Sequence, residues 1–172
     1  MRTLSLLRHA KSSWSTPALT DCERPLAPRG LKAAPLMGRH MRDIGLVPDL
    51  VLLSPADRTR QTAELALGEA GLACVPLRID EQLYEASADD LLVCLRECPD
   101  DIGHVLMIGH NPGLHELAVG LLGDEIPPDH ADLARNLPTA ALVVLAVNVD
   151  NWGDVDWGMA FLSHYRVPRD LD

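Results

Sequence analysis

Thr3-Leu4-Ser5-Leu6-Leu7-Arg8-His9-Ala10-Lys11-Ser12 decides how this chain is read. Thr3 to Leu7 is short, apolar and β-compatible, as a strand buried on both faces would be, and it ends on an arginine followed by a histidine. Open α/β sheets bind ligands in the crevice beyond the carboxyl ends of their strands, so His9 is placed in such a crevice. A neutral imidazole there can attack phosphorus, while a neighbouring guanidinium holds the oxygens of the phosphoryl group under attack. Two residues alone more often mean a strand-end histidine beside a solvated arginine.

Three further segments repeat the pattern of a strand running into a helix. Leu50 to Leu53 is followed by Ser54-Pro55-Ala56-Asp57-Arg58-Thr59-Arg60-Gln61-Thr62, where Ser54 fits an N-cap, Pro55 the first helical position and Asp57 the reciprocal acid. Arg58 then falls in the first turn, where the helix dipole disfavours a cation unless an anion binds there too. An exposed arginine is the alternative. Val105 to Ile108 leads into Gly109-His110-Asn111-Pro112-Gly113, with Asn111 as the expected N-cap and Pro112 as the first helical residue. His110 is thereby held at a corner rich in unpaired N–H groups. It is neutral when alone and a cationic clamp when a phosphate dianion raises its pKa. In the last segment a strand over Cys74 to Ile79 precedes Glu85, and Ser87 with Asp90 forms a capping box for the next helix. Among phosphate oxygens a Glu85 carboxyl would titrate high and could protonate a leaving oxygen; otherwise it is a solvated acid.

Four strand-end loops thus carry complementary pieces of one reaction: a nucleophile, cationic clamps and an acid. On these residues the chain resembles the histidine phosphatase superfamily, also called phosphoglycerate-mutase-like. Arg8-His9-Ala10-Lys11-Ser12-Ser13-Trp14 and the short length are most similar to the bacterial phosphohistidine phosphatases. The resemblance extends over Asp21, Arg24-Pro25-Leu26, Arg29-Gly30, Ser54 to Thr62, Leu83-Tyr84-Glu85-Ala86, Gly109 to Gly113 and Leu137 to Ala141. It implies a phosphorylated nucleophile at His9 and a phosphate pocket of Arg8, Arg58 and His110, with Glu85 as the acid. It implies hydrolysis of phosphohistidine on a partner protein, or else of a small phosphorylated metabolite, through an arrangement that requires no metal and no cofactor. A phosphate-binding module without catalysis is the alternative of another class, and the presence of His9 argues against it. Ala10-Lys11 stands where mutase-type members commonly have Gly and Glu. Lys11 thus adds a cation at the pocket mouth, favouring an acidic or protein-borne phosphate, unless it is only a solvated loop charge.

Length and composition set the remaining expectations. The 172 residues suit one domain spanning 1–172, with no repeat or linker. Helices are expected over Arg29 to Ile44, Arg58 to Ala70, Ala88 to Cys98 and Gly113 to Leu122. They alternate with the four strands, and two closing strands follow over Ala141 to Val147 and Met159 to Tyr165, at least one of them antiparallel. The expected fold is a three-layer α/β/α sandwich with a mainly parallel central sheet. Gly123 to Pro138 reads as an exposed loop and as the one sizeable connection, leaving little room for a lid. No run is long enough to span a membrane, the N-terminal run stops too early for a signal sequence, and a cytoplasmic location follows as the default. A net charge of −10 argues against a general nucleic-acid partner. Cys22, Cys74, Cys94 and Cys98 lack zinc-site spacing, and Cys94 with Cys98 reads as packing. His40, His104, His115, His130 and His164 read as surface or core residues, and Trp14, Trp152 and Trp157 as core or rim packing. The sequence carries no signal of oligomeric state.

Overall fold

A computed structural model describes all of residues 1–172. Six strands and four helices follow one another as β1 (Arg2–Arg8), α1 (Pro28–Asp43), β2 (Leu50–Leu53), α2 (Asp57–Ala70), β3 (Leu77–Ile79), α3 (Ala88–Arg96), β4 (His104–Gly109), α4 (Gly113–Leu122), β5 (Leu142–Val147) and β6 (Ala160–Arg166). They form a single sheet in the order β3-β2-β4-β1-β5-β6. Only β5 runs against the others, pairing antiparallel with both β1 and β6.

The apolar runs form strands because both faces of the sheet are covered. Leu4 and Leu6 of β1, with Val105 and Met107 of β4, pack under α3 and α4 beside Trp152. The intervening Leu7, Leu106 and Ile108 pack under Met37 and Met41 of α1 and Ala63, Ala66 and Leu67 of α2. Such strands have no polar face to alternate with, hence their near-continuous hydrophobicity. At about 1.5–3 kcal/mol for each fully buried large aliphatic side chain, these two layers are the principal favourable contribution to folding. The fold is therefore the three-layer sandwich that the sequence led us to expect.

Topology places the crevice. From β1 the chain passes through α1 and α2 to β2 and β3 at one edge, then returns through α3 to β4 and through α4 past β1 to β5. The connections run in opposite directions along the sheet, and α1 with α2 covers one face while α3 with α4 covers the other. The reversal falls between β1 and β4, whose last residues, Arg8 and Gly109, are register partners. Ligand crevices of α/β sheets open at such switch points.

Several local expectations are corrected. Ser54 does not cap α2: the helix begins at Asp57 after Ala56, and its side chain bonds His110 instead. The first turn is closed by the Thr59 hydroxyl, which donates to the carbonyls of Ser54 and Ala56. Asn111 does not cap α4 either; its amide donates to the Leu137 carbonyl at 2.9 Å, and Pro112 occupies the position before the helix. In both cases the side chain bonds a partner far away in sequence instead of the helix end beside it. The capping box of Ser87 and Asp90 is present with both arms. β3 is only three residues long, since it is an edge strand and Leu77 and Ile79 are exposed. Residues 123–138 are not simply an exposed loop, because Leu133 and Leu137 are fully buried. Nor are they the one sizeable connection, because residues 9–27 between β1 and α1 form a wall of the crevice.

Candidate active site

At the switch point lies an open cavity of about 370 Å³ that gathers Arg8, His9, Arg58, Glu85 and His110. All five residues singled out from the sequence thus meet in one place, although they come from four connections spread over most of the chain.

His9 is the most tightly fixed. Its backbone N–H donates to the Gly109 carbonyl at 3.0 Å, and the N–H of Ala140 is shared between the carbonyls of Arg8 and His9, at 3.1 Å each. Ala140 reaches both from a left-handed conformation, φ 58°, which is costly for a residue other than glycine and marks a constrained site. The next residue is held as well, Ala10 N–H donating to the Thr62 hydroxyl at 2.9 Å. The His9 ring lies 2.7 Å through Nδ1 from the Ala10 carbonyl. A carbonyl only accepts, so Nδ1 carries the ring proton and Nε2 keeps the lone pair. Burial, reinforced by the nearby positive charges of Arg58, Arg8 and Arg24, lowers the pKa of this imidazole to about 4. At neutral pH the ring is uncharged and Nε2 is free to act as a nucleophile.

The cations around it are positioned by backbone and carboxylate. Arg8 donates to the Leu137 carbonyl at 2.9 Å, while its buried Nε has no partner. Arg58, buried in the first turn of α2, donates to the Asp21 carbonyl at 2.7 Å and to the Asp21 carboxylate at 3.0 Å. His110 sits with its ring centroid 5.2 Å from that of His9. Its Nε2 lies 2.6 Å from the Ser54 hydroxyl, and its Nδ1 is buried with no partner. Burial first, then His9 and Arg58, lower its pKa to about 3, so it is neutral in the absence of an anion. A hydroxyl donating to Nε2 would leave the proton on Nδ1. The Nε of Arg8 and the Nδ1 of His110 are thus buried polar atoms with no acceptor in the protein.

Glu85 also lines the cavity, from an exposed loop and in a left-handed conformation of φ 55°. Gly113, at the start of α4, lies against the Ala86 carbonyl so closely that a side chain there would collide with it, and this contact brings the Glu85 loop up to the His110 corner.

Sequence reasoning missed the group that ties these parts together. The Asp21 carboxylate accepts from Arg24 at 2.7 Å, from Arg58 at 3.0 Å and from the Tyr84 hydroxyl at 2.6 Å. Those bonds, the tyrosine's first, hold its pKa well below the usual carboxylate range, and the same contact raises Tyr84 to about 12. Asp21 therefore joins the β1–α1 connection, the start of α2 and the Glu85 loop. Arg24 also donates to the Ser12 hydroxyl and to the Ser13 carbonyl, and its guanidinium lies over Trp14, 3.2 Å from the ring centroid. The available signal was the opposite charges of Asp21 and Arg24, three residues apart just before Pro25. Of the tryptophans, Trp152 is buried in the core, Trp157 packs on Gly120, and Trp14 stands at the rim of the cavity. The remaining histidines lie outside it.

Comparison with known proteins agrees with this geometry. Residues 4–97 match the model of the histidine phosphatase superfamily (branch 1). An uncharacterised protein of Mycobacterium tuberculosis (strain CDC 1551 / Oshkosh) is 35% identical over 95% of this chain and 100% of its own. A crystal structure from Agrobacterium tumefaciens assigned to the phosphohistidine phosphatase SixA superposes with a TM-score of 0.82 at 26% identity, covering 97% of this chain and 98% of that one. One from Nakamurella multipartitia with the same assignment also gives 0.82, at 30% identity, covering 97% and 96%. With a histidine buried among arginines at the switch point of its sheet and these similarities along its length, the chain belongs to the histidine phosphatase superfamily and is a phosphatase.

Proposed function

We propose that residues 1–172 form one histidine phosphatase domain that removes phosphate from phosphohistidine on a partner protein, using His9 as the nucleophile. The observation that carries the reading is the His9 ring, pinned at 2.7 Å through Nδ1 to the Ala10 carbonyl with Nε2 left unprotonated among Arg8, Arg24 and Arg58. Phosphoryl oxygens lie on Arg8, Arg58 and the Nδ1 of His110, and Nε2 attacks phosphorus in line. As the Nε2–P bond forms, the bond to the leaving atom breaks and its electron pair goes to that atom. Water then attacks the phosphorylated His9, and the electron pair of the breaking P–N bond returns to Nε2. Such transfer depends on positioning and charge stabilisation more than on elaborate covalent chemistry, and the guanidinium groups supply that charge.

Two considerations favour a nitrogen leaving group. A phosphorylated imidazole whose other ring nitrogen carries a proton leaves as neutral imidazole with no further proton delivered, whereas an ester oxygen needs one, and Glu85 stands on an exposed loop rather than in a buried, fixed position. The two similar structures that superpose with a TM-score of 0.82 carry the phosphohistidine phosphatase assignment. We place the activity in the cytoplasm, where the four unpaired cysteines are the expected state. The deciding experiment compares kcat/KM for a histidine-phosphorylated protein with that for a panel of small phosphomonoesters. We expect the phosphoprotein to be preferred, and a strong preference for one small ester would overturn the assignment in favour of a metabolite phosphatase.

A further inference from the structure

We infer that the face around the pocket mouth docks an acidic protein surface, whose carboxylates lie along a basic trough leading away from His9. This rests on the proposal that the phosphate is carried by a protein. The trough is continuous with the catalytic cavity. A hollow of about 160 Å³ shares Lys11 and Thr139 with that cavity, and a further one of about 350 Å³ shares Arg29 and Arg169 with the first and adds Lys32. In a chain of net charge −10 that has only two lysines, both line this path.

Along the trough, the cations at its pocket end are unneutralised. Lys11, Arg29 and Lys32 form no ion pair, whereas other surface arginines do, as Arg39 with Glu69 at 3.5 Å and Arg96 with Asp156 at 3.3 Å. At the far end Arg169 meets Asp170 at 3.7 Å and Asp132 at 3.9 Å, and Asp172 also lines the hollow. The excess positive charge is therefore concentrated beside the site. It is increased by α1, which begins at Pro28 with no side-chain cap and no acid in its first turn, so its positive dipole end adds to Arg29. Gly30 sets the spacing: a side chain there would collide with the Lys11 backbone, and its absence lets the start of α1 lie against the loop that carries Lys11.

At the rim of the pocket, Trp14 is 73% exposed, with Arg24 over its ring. An exposed tryptophan beside a charged rim is the type of anchor that macromolecular interfaces bury, and Lys32 lies outside the catalytic cavity, in the further hollow.

The test uses His9→Ala protein, which binds without turnover, and fluorescent peptides phosphorylated on histidine, flanked either by Asp and Glu or by Gly and Ser. By anisotropy at low ionic strength, the acidic peptide should bind about tenfold tighter, as two or three exposed charge pairs would give. High salt or the added substitutions Arg29→Glu and Lys32→Glu should erase the difference. In the catalytic protein those two substitutions should raise KM for the acidic peptide with kcat unchanged. Equal affinities, a preference that survives charge reversal, or tighter binding of a single-stranded oligonucleotide would overturn the inference. A wild-type protein that cleaves neither phosphopeptide would remove the phosphohistidine reading, while the binding comparison would still decide the docking surface.

Discussion

The two sides of the catalytic cavity are built differently. His9 and His110 follow the paired central strands β1 and β4, beneath both core layers, with His9 buried and the backbone around it bonded on several sides. Glu85 follows the short edge strand β3, is exposed, and is linked to the rest through Asp21 by way of Tyr84. Attack on phosphorus needs atoms held to a fraction of an ångström, which a packed core supplies and a surface loop does not. The leaving-group side can stay adaptable without loss of the central chemistry.

The sharpest way to break this comparison is at the rigid side. His9→Ala should abolish turnover while leaving the circular dichroism spectrum unchanged, and labelled substrate should leave an acid-labile, alkali-stable phosphate on His9 of the wild type. Undiminished turnover by folded His9→Ala protein would refute the mechanism. Next in size, Arg58→Ala should lower kcat by roughly 100- to 1,000-fold, the usual consequence of removing one preorganised donor to a transition-state charge. An effect confined to KM would mean that Arg58 holds ground state and transition state equally.

At the adaptable side the outcome should depend on substrate. Glu85→Gln should reduce phosphomonoester hydrolysis by about 100-fold, the low end of general-acid contributions, and phosphohistidine hydrolysis far less. Equal losses on both would remove the leaving-group argument. The smallest effect concerns pH. His9 titrates near 4 instead of 6.5, so NMR should show its ring still uncharged at pH 6. Because the folded value lies below the unfolded one, the stability linked to this ring is fully present above about pH 6.5 and is lost as pH falls toward 4. Denaturant unfolding should therefore show a smaller acid-side loss in His9→Ala than in wild type, and a midpoint for His9 near 6.5 would show that the ring is solvated.

How much was legible in advance followed how local the cause was. Strands β1, β2 and β4 are continuous apolar runs, α3 opens on a capping box within its own residues, and Arg8-His9, Arg58 and Gly109-His110 stand at corners set by their neighbours in sequence. Burial on both faces and short-range hydrogen bonding determine these features, and both are written into consecutive residues. The roles of Ser54 and Asn111 were misread because each looks like a cap locally, yet one bonds His110 and the other Leu137, groups brought near only when the sheet assembles. Asp21 combines both: Arg24 is three residues away, but Arg58 and Tyr84 come from distant parts of the chain. By itself the sequence determined the layered sheet and which polar residues stand at its strand ends. Only the tertiary structure decided which polar side chains orient those groups, because a buried donor or acceptor takes whichever partner the packed fold brings within reach.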